Sequence, residues 1–252
     1  KILGCCRFVY NYYLNKRKDY YLEHKKTLPY AEMARDLTKF RYTIDWLAET
    51  QSTPLQQALR RLDTSYSRFF RKLSKFPRFK SKKDTKQSFQ KAKDWKIIDN
   101  KIYIQKDLIV CFRGDIDTKA DIGTLVVSHL SSGKWFATIS AKIEMKQPKK
   151  YTEPIGIDVG IETLATLSTG KKYKNIQPQK TLQAKLTHAQ RELARRKIGS
   201  KRREVASRKV AVIFEKIRNI RENYLHKVSN DIVSKNHATI AVEDLNVKGM
   251  MQ

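Results

Sequence analysis

The sequence predicts an α+β chain of more than one domain, and three observations carry that prediction. Apolar residues recur at helical spacing through the first third of the chain. A series of short strand-like runs separated by turn signals follows. A second helical region then lies between two short apolar strands, near residues 155 and 240.

In order along the chain, Cys5, Phe8, Val9 and Tyr12 share one helix face, and Leu28-Pro29 ends that run. Tyr30, Met33, Leu37 and Phe40 mark a second helix. Thr53-Pro54 reads as a helix start, a hydroxyl N-cap followed by proline at the first helical position. From there Leu55, Leu59, Leu62, Tyr66, Phe69 and Leu73 make a stripe about five turns long. Residues 76–83 have no helical period and interleave basic residues with two aromatics. Residues 95–98 and 102–104 flank Asp99-Asn100-Lys101, a hairpin turn. Further strands are expected at 108–112, 125–130 and 135–143, the last two joined by Ser131-Ser132-Gly133-Lys134. Several strands in succession suggest a small barrel or sandwich. After a basic linker at 146–150, residues 155–160 read as a buried strand ending in a turn, with 164–168 as its hairpin partner. Leu182, Leu186, Ala189 and Leu193 form one helical stripe. Val205, Val212, Ile213, Ile217, Ile220, Tyr224, Val228 and Ile232 form a second. The Gly199-Ser200 break between them implies an antiparallel helical hairpin. Residues 239–242 are a last short strand, with Glu243 at its end.

The 252 residues carry 53 Lys+Arg against 25 Asp+Glu, a formal net charge of +28. Such a balance speaks to partners rather than to fold. A polyanion relieves the self-repulsion and releases counterions as it binds, so nucleic acid is the expected partner. A membrane is not expected, because no apolar run is long enough to span one and no secretory signal opens the chain. At 40% hydrophobic residues the chain can bury a core. Three cysteines without a C-x-x-C pair make no disulfide framework, and a reducing cytoplasm is expected. The start at Lys1 and the stop at Gln252 read as those of a piece of a longer protein.

Asp158 and Glu243 each stand at the carboxyl end of a short apolar strand, where ligand and catalytic groups of open α/β sheets gather. A helical crossover between the two strands permits them to pair in parallel. Two neighbouring carboxylates repel each other unless cations bridge them. Magnesium suits such hard oxygen ligands, and two such ions stabilise the attacking and leaving oxygens of phosphodiester hydrolysis. Taken singly, each reads more readily as a turn Asp or a helix-capping Glu; the pair, on a chain of net charge +28, reverses that. Asp244 points to the opposite face of a continued strand and is expected to orient a loop.

Between Lys171 and Lys209 there are fourteen Lys/Arg, Arg195, Arg196, Arg202 and Arg203 among them, against Glu192 and Glu204. Solvated helix faces ordinarily mix both signs, so this one is expected to meet a nucleic-acid backbone. In residues 76–83, Arg78, Lys80, Lys82 and Lys83 suit phosphates, while Phe76 and Phe79 either stack on bases or pack into the core. Gln56, Gln57 and Arg60 follow Thr53-Pro54 and are of the residue types that read base edges, or are simply solvated. None of the five histidines has metal-ligand spacing to another His or Cys.

These residues resemble a known family. Gly156-Ile157-Asp158-Val159-Gly160, followed by Val242-Glu243-Asp244-Leu245-Asn246-Val247-Lys248-Gly249-Met250, is similar to the first and second RuvC motifs of TnpB. TnpB proteins are the RNA-guided DNA nucleases of bacterial insertion sequences, related to compact type V CRISPR effectors. Residues 4–11 and 76–82 look like the amino-terminal motifs of that family. The resemblance implies a helical recognition domain with the start of a wedge region at 1–86 and a β-barrel wedge domain at 87–150. A RuvC nuclease domain of RNase H-like α/β fold at 151–252 would follow, incomplete at its carboxyl end. It further implies a transposon-derived guide RNA, double-stranded target DNA with an adjacent motif, and magnesium on Asp158 and Glu243. The expected setting is the bacterial cytoplasm, with the protein on the nucleoid when bound to DNA. The family's zinc ribbon and third catalytic Asp have no counterpart here. The expected function is RNA-guided DNA cleavage, weak in this chain alone. The alternatives are a guided DNA-binding repressor, a non-catalytic basic RNA-binding protein and, less well supported, a cut-and-paste transposase.

Overall fold

The computed structural model describes residues 1–105, 108–114, 121–142, 152–235 and 237–243. Asp244 and the rest of the second motif lie outside these residues. The chain divides into two compact units, Lys1–Glu144 and Met145–Gln252.

The first unit opens with α1 (Ile2–His24), α2 (Tyr30–Phe40), the short α3 (Asp45–Ala48) and α4 (Ser52–Phe70). Leu28-Pro29 separates α1 from α2, as the sequence suggested. The start of α4 differs from the reading of Thr53 as N-cap: the helix begins at Ser52 and Gln51 caps it through no side chain. Pro54 is tolerated in the first turn, where its missing N–H would have had no helical partner. Thr53 donates its hydroxyl to Asp94 instead. The stripe also ends sooner than expected. Lys72 takes a left-handed φ of 58°, which stops the helix and leaves Leu73 exposed.

Two three-stranded antiparallel sheets follow. One has the order β1-β5-β6, from β1 (Lys86–Lys91), β5 (Asp121–Leu130) and β6 (Trp135–Lys142). The other has the order β2-β3-β4, from β2 (Lys96–Ile98), β3 (Lys101–Gln105) and β4 (Leu108–Cys111). Asp99 and Asn100 both have positive φ and form the two-residue turn between β2 and β3, the primed turn that matches strand twist. β1 was not legible in the sequence because only Phe89 and Lys91 of its six residues are buried. The Lys91 ammonium is satisfied by Gln51 and by the Ile104 carbonyl. One core joins the helices to both sheets: Val9, Tyr13 and Leu14, with Met33, Leu37, Leu55, Leu59 and Leu62, continue into Phe89, Ile102 and Leu125. Arg17 is buried within it, ion-paired with Asp63 at 3.0 Å and stacked on Tyr66.

The second unit is a four-stranded sheet with two helices. The sheet order is β10-β7-β8-β9, from β7 (Ile155–Asp158), β8 (Thr163–Leu167), β9 (Lys172–Lys174) and β10 (Ile240–Val242). Between β9 and β10 run α5 (Pro178–Ala194) and α6 (Lys201–Val233), the expected helical hairpin with its break at Gly199-Ser200. α6 has 33 residues, about 50 Å of helix, and serves two partners in turn. Its first half packs Ile217 against Leu182 and Leu186 of α5. Its second half packs Val228 and Ile232 against Ile155 and Leu167 of the sheet. Val205, Val212 and Ile220, read as part of one stripe, are exposed, since a stripe that changes partners cannot bury all its members.

Candidate carboxylate site and nucleic-acid interface

β7 and β10 pair in parallel, with Ile240 opposite Ile155, Ala241 opposite Gly156 and Val242 opposite Ile157. One step further, this register sets Glu243 beside Asp158 at the carboxyl edge, on strands about 4.8 Å apart. Asp158 also pairs with Thr166 of β8. The chain leaves β7 through a tight turn at Gly160, whose N–H reaches the Leu164 carbonyl at 3.4 Å. A Cβ at position 160 would lie 2.9 Å from the Thr163 carbonyl oxygen, so any other residue forces the turn to open. At the other end, the Ala238 N–H donates to Thr152 and the Ile155 N–H donates to Thr239, which fixes the register of β10. From behind, α6 holds the sheet. Tyr173 and Lys171 both reach Asp231, and the Lys171 hydrogen bond is the largest influence keeping its carboxyl below the usual range.

Asp158 and Glu243 are both exposed, and neither carboxylate has an ion pair or side-chain hydrogen bond among the described residues. Two solvent-facing carboxylates on one sheet edge fit magnesium, which keeps several waters and takes one or two carboxylates. No group of three or more His, Cys, Asp or Glu that could hold a metal is found among the described residues. Zinc does not fit the thiols. Cys5 and Cys6 are buried with Thr50 and Pro54, whereas Cys111 is exposed on β4.

The other sequence-predicted residues fall into three groups. Tyr30 of α2 accepts from Arg60 Nε at 3.1 Å and donates to Gln56 at 3.3 Å, bringing those two α4 residues together through a tyrosine the sequence marked only as part of its own helix. Gln57 is half-buried. In the 76–83 loop, Phe76 and Phe79 are 44% and 49% exposed, so neither is a core residue. The Lys18 ammonium lies over both rings, at 5.4 and 4.7 Å, and Phe76 meets Tyr66 and Phe69 edge-on. Asn11 clamps the backbone of Lys80 through two hydrogen bonds of 2.9 and 2.8 Å. Arg78, Lys82 and Lys83 are exposed. On the hairpin, Arg195 and Arg202 project into solvent, while Arg196 pairs with Glu192 at 3.4 Å. Arg203 has a structural role that spacing alone did not reveal. Its guanidinium donates to the Leu193 and Arg196 carbonyls, at 2.9 and 2.8 Å, and so satisfies the carboxyl end of α5. Among the described residues no helix is long and apolar enough to cross a membrane.

Comparison with known proteins adds to this geometry. A family profile described as "Probable transposase" matches residues 122–252, and one described as "Helix-turn-helix domain" matches residues 1–26. A "Putative RNA-guided DNA endonuclease" of Streptomyces pristinaespiralis is 33% identical over 260 residues, covering 100% of this chain and 64% of the relative. The "Putative RNA-guided DNA endonuclease InsQ" of Escherichia coli K12 is 34% identical over 255 residues, covering 99% and 63%. The chain thus spans just under two thirds of the length of these relatives. Among solved structures, a chain of the Cas12f1–sgRNA–target DNA complex aligns with a TM-score of 0.52 over 97% of this chain and 64% of its own, at 13% identity. A likeness at that identity is one of fold alone: the α+β fold of this chain resembles that of the aligned chain.

Proposed function

Because the chain belongs to the TnpB family of transposon-encoded proteins, we propose that it is the guide-binding and partial nuclease region of an RNA-guided DNA endonuclease. The observation that carries this reading is the parallel register of β7 and β10, which makes Asp158 and Glu243 neighbours. In this reading residues 151–252 are the RuvC domain, of RNase H-like fold, residues 87–150 the wedge barrel and residues 1–86 the recognition domain. The partners are a transposon-derived guide RNA and double-stranded DNA bearing an adjacent motif. The setting is the bacterial cytoplasm and nucleoid.

Asp158 and Glu243 would hold magnesium, which when bound supplies charge neutralisation at the scissile phosphate and an acidified water. The chain's own residues do the rest. The turn at Gly160 aims Asp158, β10 delivers Glu243, and α6 keeps the two strands in register. Arg195 and Arg202 contact strand phosphates from the helical hairpin, and Lys82, Lys83 and Arg78 do so from the 76–83 loop. Phe76 and Phe79, half exposed beneath Lys18, offer stacking faces. Gln56, Gln57 and Arg60 read base edges from α4.

A second reading is guided DNA binding without cutting. The test compares this chain, the chain extended to the length of its relatives, and the extended protein with Asp158→Ala, each with guide RNA, target DNA and magnesium. Cleavage by the unmodified extended protein alone is the expected result. Guided binding without cleavage by all three would establish the second reading.

A further inference from the structure

A small cavity in the first unit gathers more positive charge than the fold needs. It measures about 80 Å³, room for about two or three waters by liquid volume, or for the oxygens of one phosphate group. Four elements wall it: Arg7 comes from α1, Arg61 from α4, Lys80 and Asp84 from the loop before β1, and Lys86 from β1. Four cations therefore face one carboxylate, and Asp84 already accepts from the Ser81 N–H at 2.9 Å.

The two guanidiniums hydrogen-bond only to neutral partners. Arg7 donates to the Gln87 side-chain oxygen at 2.9 Å, and Arg61 donates twice to the Ser88 hydroxyl at 3.2 Å. Each guanidinium has five N–H donors, so several remain on both. The Lys80 ammonium lies 3.8 Å from the centroid of the Tyr10 ring and has no hydrogen-bond acceptor among the described residues. None of the three is ion-paired there. Burial, and after it the Arg61 charge, pushes the Lys80 pKa down to about 8, while burial likewise lowers that of Arg61. Cys6, which also lines the cavity, offers no compensating charge, because burial pushes its thiol up to about 12.

A fold gains nothing by desolvating like charges together. Yet the chain holds them firmly: Asn11 pins the Lys80 backbone at two points, and Pro77 of the same loop is buried. Preorganised cations with unused donors suit an anion of fork-matching geometry. Resting on the nucleic-acid-binding reading above, we propose that this cavity seats one backbone phosphate of a bound nucleic-acid strand, held by Arg7, Arg61 and Lys80. The phosphate relieves the repulsion and fixes the strand against the first unit at one point.

The test is Lys80→Met in the 252-residue chain, with binding measured against salt for a duplex DNA and for a structured RNA. Methionine keeps the apolar stem beside Tyr10 and removes the charge, so thermal stability should hold or rise. Affinity should fall about tenfold at low salt. The log–log slope should shrink by about 0.9 for duplex DNA or about 0.7 for a single-stranded stretch of RNA. The nucleic acid whose slope shrinks is the one seated, and a loss on both means the seat accepts either. Should Lys80→Met fail to fold, Arg7→Gln reads the same slope. An unchanged slope on both nucleic acids, with the unmodified chain binding normally, overturns the proposal alone. A chain that binds neither overturns both this and the nucleic-acid reading. A shrunken slope in a protein that never cuts leaves the phosphate seat standing and removes only the nuclease.

Discussion

Gly160→Ala isolates the turn that aims Asp158. The new methyl carbon would stand 2.9 Å from the Thr163 carbonyl oxygen, where ordinary contact begins at 3.4 Å. The obstructing atom is backbone, so the turn itself must open by about 0.5 Å, the difference of the two distances. Overpacking of this kind costs about 1–3 kcal/mol. Asp158 lies two residues away on the strand that the turn terminates. A misplacement of about 1 Å costs on the order of a hundredfold in rate, so half that shift should cost about tenfold. Gly156→Ala is the internal control. Its added carbon meets only the Ser168 Cβ at 3.7 Å, and its stability should stay within about 0.5 kcal/mol. The assays are urea denaturation of both variants, and cleavage and DNA binding by the protein extended to the length of its relatives. Gly160→Ala should lose stability and cleavage but keep binding. Matching behaviour of the two variants would refute the steric reasoning, and an equal loss of binding would place the damage away from Asp158.

Three further outcomes are expected. Arg203→Ala should lower stability by about 2 kcal/mol in urea denaturation, because it strips two charge-assisted hydrogen bonds from the end of α5, while Arg195→Ala and Arg202→Ala should leave stability unchanged and each reduce the DNA salt slope by about 0.9. Lys80 has its pKa lowered from 10.5 to about 8, so the unfolded chain binds more protons across that window; stability should rise from pH 8 toward 9.5, and the advantage of Lys80→Met over the unmodified chain in thermal melts should narrow over the same range. Ile232→Ala removes a buried contact between α6 and β7, and should cost about 2–4 kcal/mol in denaturation and lower cleavage while leaving the first unit's thermal transition in place.

Residues with local causes were legible in the sequence. Asp99 and Asn100 announced their turn because few other residues tolerate positive φ at both positions. Asp158 and Glu243 stood out because each ends a short apolar strand and the two together sit on a chain of net charge +28. The helical hairpin showed in its two stripes and the Gly199-Ser200 break. What was missed is assembled over long range. β1 is polar by composition and becomes a strand only through its register with β5. β9 is three residues long and pairs with β8 alone. Tyr30 meets Gln56 and Arg60 from another helix, and Lys18 reaches Phe76 and Phe79 across more than fifty residues. Arg203 read as one more surface cation, because nothing in its neighbours' spacing reveals the carbonyls it caps. The N-cap assigned to Thr53 failed for the same reason, since its hydroxyl is claimed by Asp94 from a distant loop.

The central claim is that Asp158 and Glu243 act as one unit at the edge shared by β7 and β10. A double-mutant cycle on guided DNA cleavage tests it most directly, using Asp158→Ala, Glu243→Ala and the pair in the protein extended to the length of its relatives. Groups that act as a unit are strongly non-additive. Each single change should lower the rate by more than about a thousandfold, and the double change should lower it no further, with guide and DNA binding retained throughout. Losses that multiply, or a silent change at either position, would contradict the account.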